Sequence, residues 1–138
     1  MREVAFTVPG EPVGKGRPRF VRQTGRTYTP EKTAVYENLV KMAYAGAAQG
    51  WKFSDSAELG IRIEAYFAIP KSKSKREQRD MEIGVIKATK KPDADNILKV
   101  IADALNHMAY RDDSQIVYAE VSKKYAKTPR TQVLIWEL

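Results

Sequence analysis

The sequence predicts an α/β (α+β) fold, a single small domain in which helices pack on a mixed β-sheet. Three observations predict it. The 138 residues suit one domain, and a chain of this size can bury roughly two-thirds of its unfolded surface without a staple. A hydrophobic content of 43% supplies a core, and there is no cysteine for disulfides or a thiolate zinc site. Segments of strand period and of helix period interleave along the chain, which favours one mixed sheet.

The elements follow in order. EVAFTV (3–8) alternates weakly and reads as a strand. Three prolines and three glycines then break regular structure, so Pro9 to Thr29 reads as a long basic loop, with room for a short hairpin near RQTGRTY. A helix starts at TPEK: Thr29 suits the cap, Pro30 the first helical position and Glu31 the dipole. Val35, Leu39, Met42 and Ala43 repeat at helical spacing and are expected to face the core, and Gly46 and Gly50 weaken the helix end. ELGIRIEAYFAI (58–69) alternates strictly, with Leu59, Ile61, Ile63, Ala65, Phe67 and Ile69 on one face. Pro70 ends that strand, and the basic stretch up to about Gly84 reads as either helix or loop. A helix from about Asp95 to His107 follows, its apolar face made by Ile97, Val100, Ile101, Ala104, Leu105 and Met108. SQIVYAEVSKKYA (114–126) and RTQVLIWEL (130–138) read as strands joined by KTPR.

The net charge of +7 points to a polyanion partner, most often nucleic acid. The charge is clustered. GKGRPRFVRQTGR (14–26) carries Lys15, Arg17, Arg19, Arg22 and Arg26, and KSKSKREQR (71–79) carries Lys71, Lys73, Lys75, Arg76 and Arg79. Such clusters suit a phosphate backbone better than an evenly solvated surface does. MREVAFTVPG has no apolar run of signal-peptide length and no later stretch could span a membrane, so a cytoplasmic protein is expected, with no membrane partner.

Against this positive charge stands an acidic constellation: KPDADNILK (91–99) and RDDSQ (111–115). Asp95 could simply cap its helix, and Asp95 with Lys99 could be an ordinary i,i+4 ion pair. Neither explains Asp93 or the pair Asp112–Asp113. In an extended segment, positions two apart point the same way. Two carboxylates about 4 Å apart at an effective dielectric of about 20 repel by roughly 4 kcal/mol. They diverge into water, share a proton, or hold a cation. Oxygen donors without a cysteine or histidine cluster suit Mg²⁺, or alternatively Mn²⁺, completed by waters and a substrate phosphate.

Competing motifs fail. An EF-hand would need an oxygen ligand at Ile97 and glycine at Leu98. GEPVGKG is one residue short of a P-loop and has Gly16 where Ser or Thr must bind the metal, so no nucleotide cofactor is expected. The Asp95-to-Lys99 interval is too long, and helical, for the strand-borne (D/E)xK of PD…(D/E)xK nucleases. A D-x-D sugar transferase would need a larger fold and a donor pocket. A non-catalytic nucleic-acid binder would use the basic clusters but not the acids. His107 reads as a helix C-terminal partner, Trp51 and Trp136 as core or interface residues, and Tyr110 is open to either role.

The run KPDADNILKVIADALN…YRDDSQI (91–116) resembles the signature of the RusA family of Holliday junction resolvases, small Mg²⁺-dependent endonucleases of bacteria, their phages and prophages. The resemblance is carried by P-D-x-D-N, a lysine four beyond the second aspartate, D-A-L on the same helix, and D-D-x-Q. VSKKYA and VPGEPVGKGRPR are similar to phage-type members. The resemblance implies that Asp93, Asp95 and Asp113 are catalytic carboxylates and metal ligands, and that Lys99 is the catalytic lysine. It implies supporting roles for Asn96, Asp103 and Asp112; Asp112 either assists at the metal or only holds the turn. It further implies a RusA-like fold, a homodimer presenting two sites to a four-way DNA junction, and action in recombination and repair in a bacterial cytoplasm.

Overall fold

The computed structural model describes residues 2–17, 19–28 and 30–138. Thr29, expected to cap the first helix, and the side chain of Arg19 lie outside what is described. The weak alternation at the start becomes β1 (Glu3–Pro9), with Val4, Phe6 and Val8 buried and their neighbours facing out. The basic loop holds a hairpin, β2 (Arg19–Val21) paired antiparallel with β3 (Arg26–Tyr28). Gly25 takes the positive φ of 67° at its turn.

The first helix, α1 (Glu31–Ala48), has Pro30 at the N-cap rather than at the first helical position. Its buried residues are Thr33, Tyr36, Val40 and Tyr44, which corrects the expected core face. Val35 is 54% exposed and Met42 70% exposed, while Leu39 and Ala43 are half-buried against the core. Two tyrosines explain the rotation. The Tyr36 hydroxyl bonds Thr131 Oγ1 at 2.9 Å and Tyr44 donates to the Trp51 carbonyl at 2.8 Å, so each ring is buried with its polar end satisfied.

β4 (Leu59–Ala68) runs through the middle of the sheet with Leu59, Ile61, Ile63, Ala65 and Phe67 buried. The basic stretch after Pro70 is largely helical: in α2 (Lys75–Glu82), Ser74 caps by accepting from the Glu77 N–H at 3.2 Å. The next helix, α3 (Ala94–Ala104), is shorter than expected; its N-cap is Asp93, not Asp95. A short 3₁₀ turn (Asp113–Gln115) takes Ser114 and Gln115 out of the expected strand, so β5 is Ile116–Ala126, and β6 is Arg130–Glu137.

The four-stranded sheet has the order β1-β6-β4-β5. β4 and β5 are parallel, and β6 is antiparallel to both β1 and β4. The parallel pair requires a crossover, and α2 and α3 supply it. α1 packs on β1, α3 on β5, and the two helices on each other around one core. That packing sets the start of α3 beside the basic segment before β2, where the Lys15 N–H donates to the Asn96 carbonyl at 3.1 Å. Among the described residues, no helix is long and apolar enough to cross a membrane.

Candidate active site

The start of α3 carries the first group of residues. Asp93, at the N-cap, is extended with φ −68° and ψ 154°, and its side chain makes no capping bond. Asp95 lies in the first helical turn. Only Asp93 is extended, so the two carboxylates are not locked face to face, and both are exposed. Among the described residues, neither Asp95 nor Lys99 joins an ion pair within 4.0 Å. Capping and an i,i+4 pair therefore do not account for these acids.

A cleft of about 730 Å³ opens beside Asp93, lined in part by Lys15, Arg17, Lys32, Lys91, Asp93 and Asn96. Close approach of two backbones builds it. A Cβ on Gly14 would stand 2.7 Å from Pro92 Cβ and 3.1 Å from Asn96 Cβ. A Cβ on Gly16 would stand 2.6 Å from Thr33 Oγ1, the atom that accepts the Gly16 N–H at 3.0 Å. The glycines of GKG are there for space, and they tie the basic segment to both α1 and α3.

The second group sits at the far end of α3. Asp95, Lys99 and Asp103 recur every four residues, so they share a face and span about 12 Å along the axis. Asp113, which opens the 3₁₀ turn after α3, is tied to Asp103 through Asn106: the Asp113 N–H donates to Asn106 Oδ1 at 2.8 Å, and the Asn106 N–H donates to the Asp103 carbonyl at 3.2 Å. Burial first, then the charges of Asp112 and Asp103, hold the Asp113 carboxyl above the usual aspartate range. Asp95, Lys99 and Asp103 thus line one helix face, with Asp93 at the N-cap before it and Asp113 in the turn after it. Among the described residues, no three acidic or histidine side chains are grouped closely enough to hold an ion by themselves.

Other residues find definite places. Asp112 holds the turn: it accepts from the Ser114 N–H at 2.9 Å, while Gln115 Oε1 accepts from the Asp112 N–H at 3.2 Å. The Ser114 hydroxyl first, and then its N–H, keep the Asp112 carboxyl below the usual range. Tyr110 is fully buried, donates to the Ala102 carbonyl at 2.7 Å, and has its phenol pushed up mainly by burial, so it is a core residue beneath the acids. His107 is exposed in a left-handed turn with φ 65°. Trp51 packs edge to face on Phe53, and Trp136 lies over Gly60.

Lys15, read from the sequence as a phosphate contact, is engaged within the protein. Its ammonium lies 2.8 Å from Glu37 Oε2 and 3.3 Å from Asp103 Oδ2. Burial alone would lower its pKa; the bonds and charges of Glu37 and Asp103 outweigh that and raise it. Arg17, Arg22, Arg26, Lys71, Lys73, Lys75, Arg76 and Arg79 are exposed, as DNA contacts need to be. Sequence reasoning missed Lys32, Lys91 and Glu37. Lys91 adjoins the acidic motif and could have been read; Glu37 gave no signal.

With the fold and the acids placed, comparison defines the class. The family described as Endodeoxyribonuclease RusA matches residues 9–136. The chain belongs to that family and is an endodeoxyribonuclease, a hydrolase acting on DNA. It is also 36% identical to YqaN, an uncharacterized protein of Bacillus subtilis (strain 168), over 139 aligned positions covering 98% of this chain and 96% of the relative.

Proposed function

We propose that this chain is a Mg²⁺-dependent, structure-selective nuclease that resolves four-way DNA junctions by paired symmetric nicks, in recombination and repair in a bacterial cytoplasm, as a phage- or prophage-type member of its family. The observation that carries the reading is the pair Asp93 and Asp95, unoccupied by capping or ion pairing, with Asp93 lining a cationic cleft.

The donor set fits a hard divalent ion. Every acidic group at the site offers oxygen, and Asp113 ionises at a cost, set by burial and by the charges of Asp112 and Asp103, that a cation would relieve. Mg²⁺ commonly takes one or two carboxylates and completes its shell with waters and phosphate oxygens, so a full protein cage is not needed. Asp93 and Asp95 would hold one ion and Asp113, at the other end, a second where two are bound, with Mn²⁺ as an alternative. A bound ion would lower the pKa of a water and offset phosphate charge.

The chain's own residues do the rest. Lys99, one turn along from Asp95, offers an ammonium to charge developing on the scissile phosphate. Arg17, Lys32 and Lys91 line the cleft for the neighbouring backbone, while Arg22 and Arg26 on the hairpin and the basic residues of 71–79 reach the arms. Phosphate contacts of this kind position DNA without reading sequence. A homodimer would supply the two sites that two symmetric cuts require. Asp93→Asn tests the assignment: junction binding should persist or tighten while nicking disappears. Loss of binding with nicking retained would refute it.

A further inference from the structure

We infer that Lys15 is a positioning residue, a cationic clamp that fixes Asp103 and, through the turn bonded to it, the far carboxylate of the site, rather than a contact to DNA phosphate. The inference rests on the reading of Asp113 as a site residue.

Geometry carries it. The ammonium is shared by two carboxylates from different helices, Glu37 of α1 at 2.8 Å and Asp103 of α3 at 3.3 Å. The side chains of Lys15 and Glu37 are each only 17% exposed, and that of Asp103 27%. The backbone on either side is fastened: Lys15 N–H to the Asn96 carbonyl at 3.1 Å and Gly16 N–H to Thr33 Oγ1 at 3.0 Å. Neither flanking glycine can take a Cβ without moving its neighbours. A lysine that reaches out to a phosphate needs neither two internal carboxylates nor a fixed backbone.

The charge balance explains why a cation is needed there. Glu37, Asp103 and Asp113 come from three separate segments; the Asp103 side chain pairs with Lys15, and Asn106 joins the Asp103 carbonyl to the Asp113 N–H. With Lys15 neutral, Asp103 would face Asp113 with no opposite charge bonded to it. Like charges that close drive side chains apart or force one to stay protonated. Groups that hold a metal-binding side chain in place typically cost 10–100-fold in metal affinity or activity when lost.

The test compares Lys15→Met, Lys15→Arg and Glu37→Gln with the unaltered protein. Three readouts are needed: junction affinity and its salt slope in EDTA, the kcat and KM of nicking, and the shift in Tm on adding Mg²⁺ alone. Lys15→Met should leave junction affinity and salt slope unchanged. It should lower kcat about 10–100-fold with KM for the junction unaltered, and shrink the Mg²⁺-induced Tm shift. Lys15→Arg should restore most of both losses. Glu37→Gln loosens the same clamp from a residue that cannot bind phosphate, and should lower kcat without weakening binding, which keeps the test decisive if Lys15→Met fails to fold. A flatter salt slope and weaker binding in Lys15→Met, with kcat retained, would overturn the inference. If the unaltered protein does not nick junctions, the proposed function fails on its own, and the Mg²⁺-induced Tm shift still decides the role of Lys15.

Discussion

Asp103 and Asp113 are ten positions apart in the chain, on a helix and on the 3₁₀ turn that follows it, and Asn106 ties them together: its N–H donates to the Asp103 carbonyl at 3.2 Å and its Oδ1 accepts from the Asp113 N–H at 2.8 Å. A protein gains little stability from bringing two carboxyls near each other. Their pairing at the end of the helix that bears Asp93, Asp95 and Lys99 makes sense as a site prepared for a cation.

Asp113→Asn should therefore stabilise the protein while disabling it. The Asp113 carboxyl is raised above its unfolded value, so its ionised form weighs against the fold. That penalty is absent below the unfolded pKa of about 3.9 and complete once pH has passed the raised folded value. Tm of the variant should exceed that of the unaltered protein at pH 7, and the difference should vanish as pH falls below about 4. Nicking should fall at least about a hundredfold, the scale of losing a group that acts directly on the reacting atoms.

Two glycines make opposite predictions under the same substitution. A Cβ at Gly14 meets Pro92 at 2.7 Å, so Gly14→Ala should cost about 1–3 kcal/mol and reduce nicking by shifting Asp93. Gly46 lies in α1 with open space where a Cβ would go, so Gly46→Ala should add about 0.5–1 kcal/mol. Urea denaturation of the two variants checks both signs.

Junction affinity in EDTA should fall steeply with salt, because each neutralised phosphate releases counterions and contributes a slope of about −0.9 on a log–log plot with duplex DNA. Arg22 and Arg26 are exposed on the hairpin. Replacing both by glutamine should flatten the slope by about two. An unchanged slope would remove the hairpin from the interface.

Glu64 and Lys124 pair across the parallel strands at 2.8 Å. The Lys124 hydrogen bond lowers the Glu64 pKa, against an opposing effect of burial. A lowered carboxylate stabilises above its unfolded pKa and loses that contribution as pH falls through the lowered folded value. The side chains are 36% and 31% exposed for Lys124 and Glu64, so solvent screens the pair. Lys124→Met should cost only about 0.2–1 kcal/mol at pH 7, and the cost should fade in acid as Glu64 protonates.

Much of the fold was legible. The strict alternation of β4 fixed its buried face, and the spacing of Ile97, Val100 and Ile101 fixed that of α3. The rotation of α1 was not, because apolar residues lie on several of its sides and two tyrosines are buried through bonds to Thr131 and to the Trp51 carbonyl. At the site, the acids and Lys99 stood out by their spacing. The contacts of Lys15 did not: they depend on Glu37 and Asp103, which only tertiary packing brings near. For the same reason a sequence reading expects Asp113 to meet Asp93 and Asp95, whereas its N–H is bonded to Asn106 at the other end of α3.

The most direct test is to incubate the protein with an end-labelled synthetic four-way junction and, separately, with a linear duplex of the same sequence, each in Mg²⁺ and then in excess EDTA. Paired nicks at symmetric positions across the branch point, absent from the linear duplex and abolished by EDTA, are the expected result. Equal cutting of the linear duplex, or cutting that survives EDTA, would contradict the account.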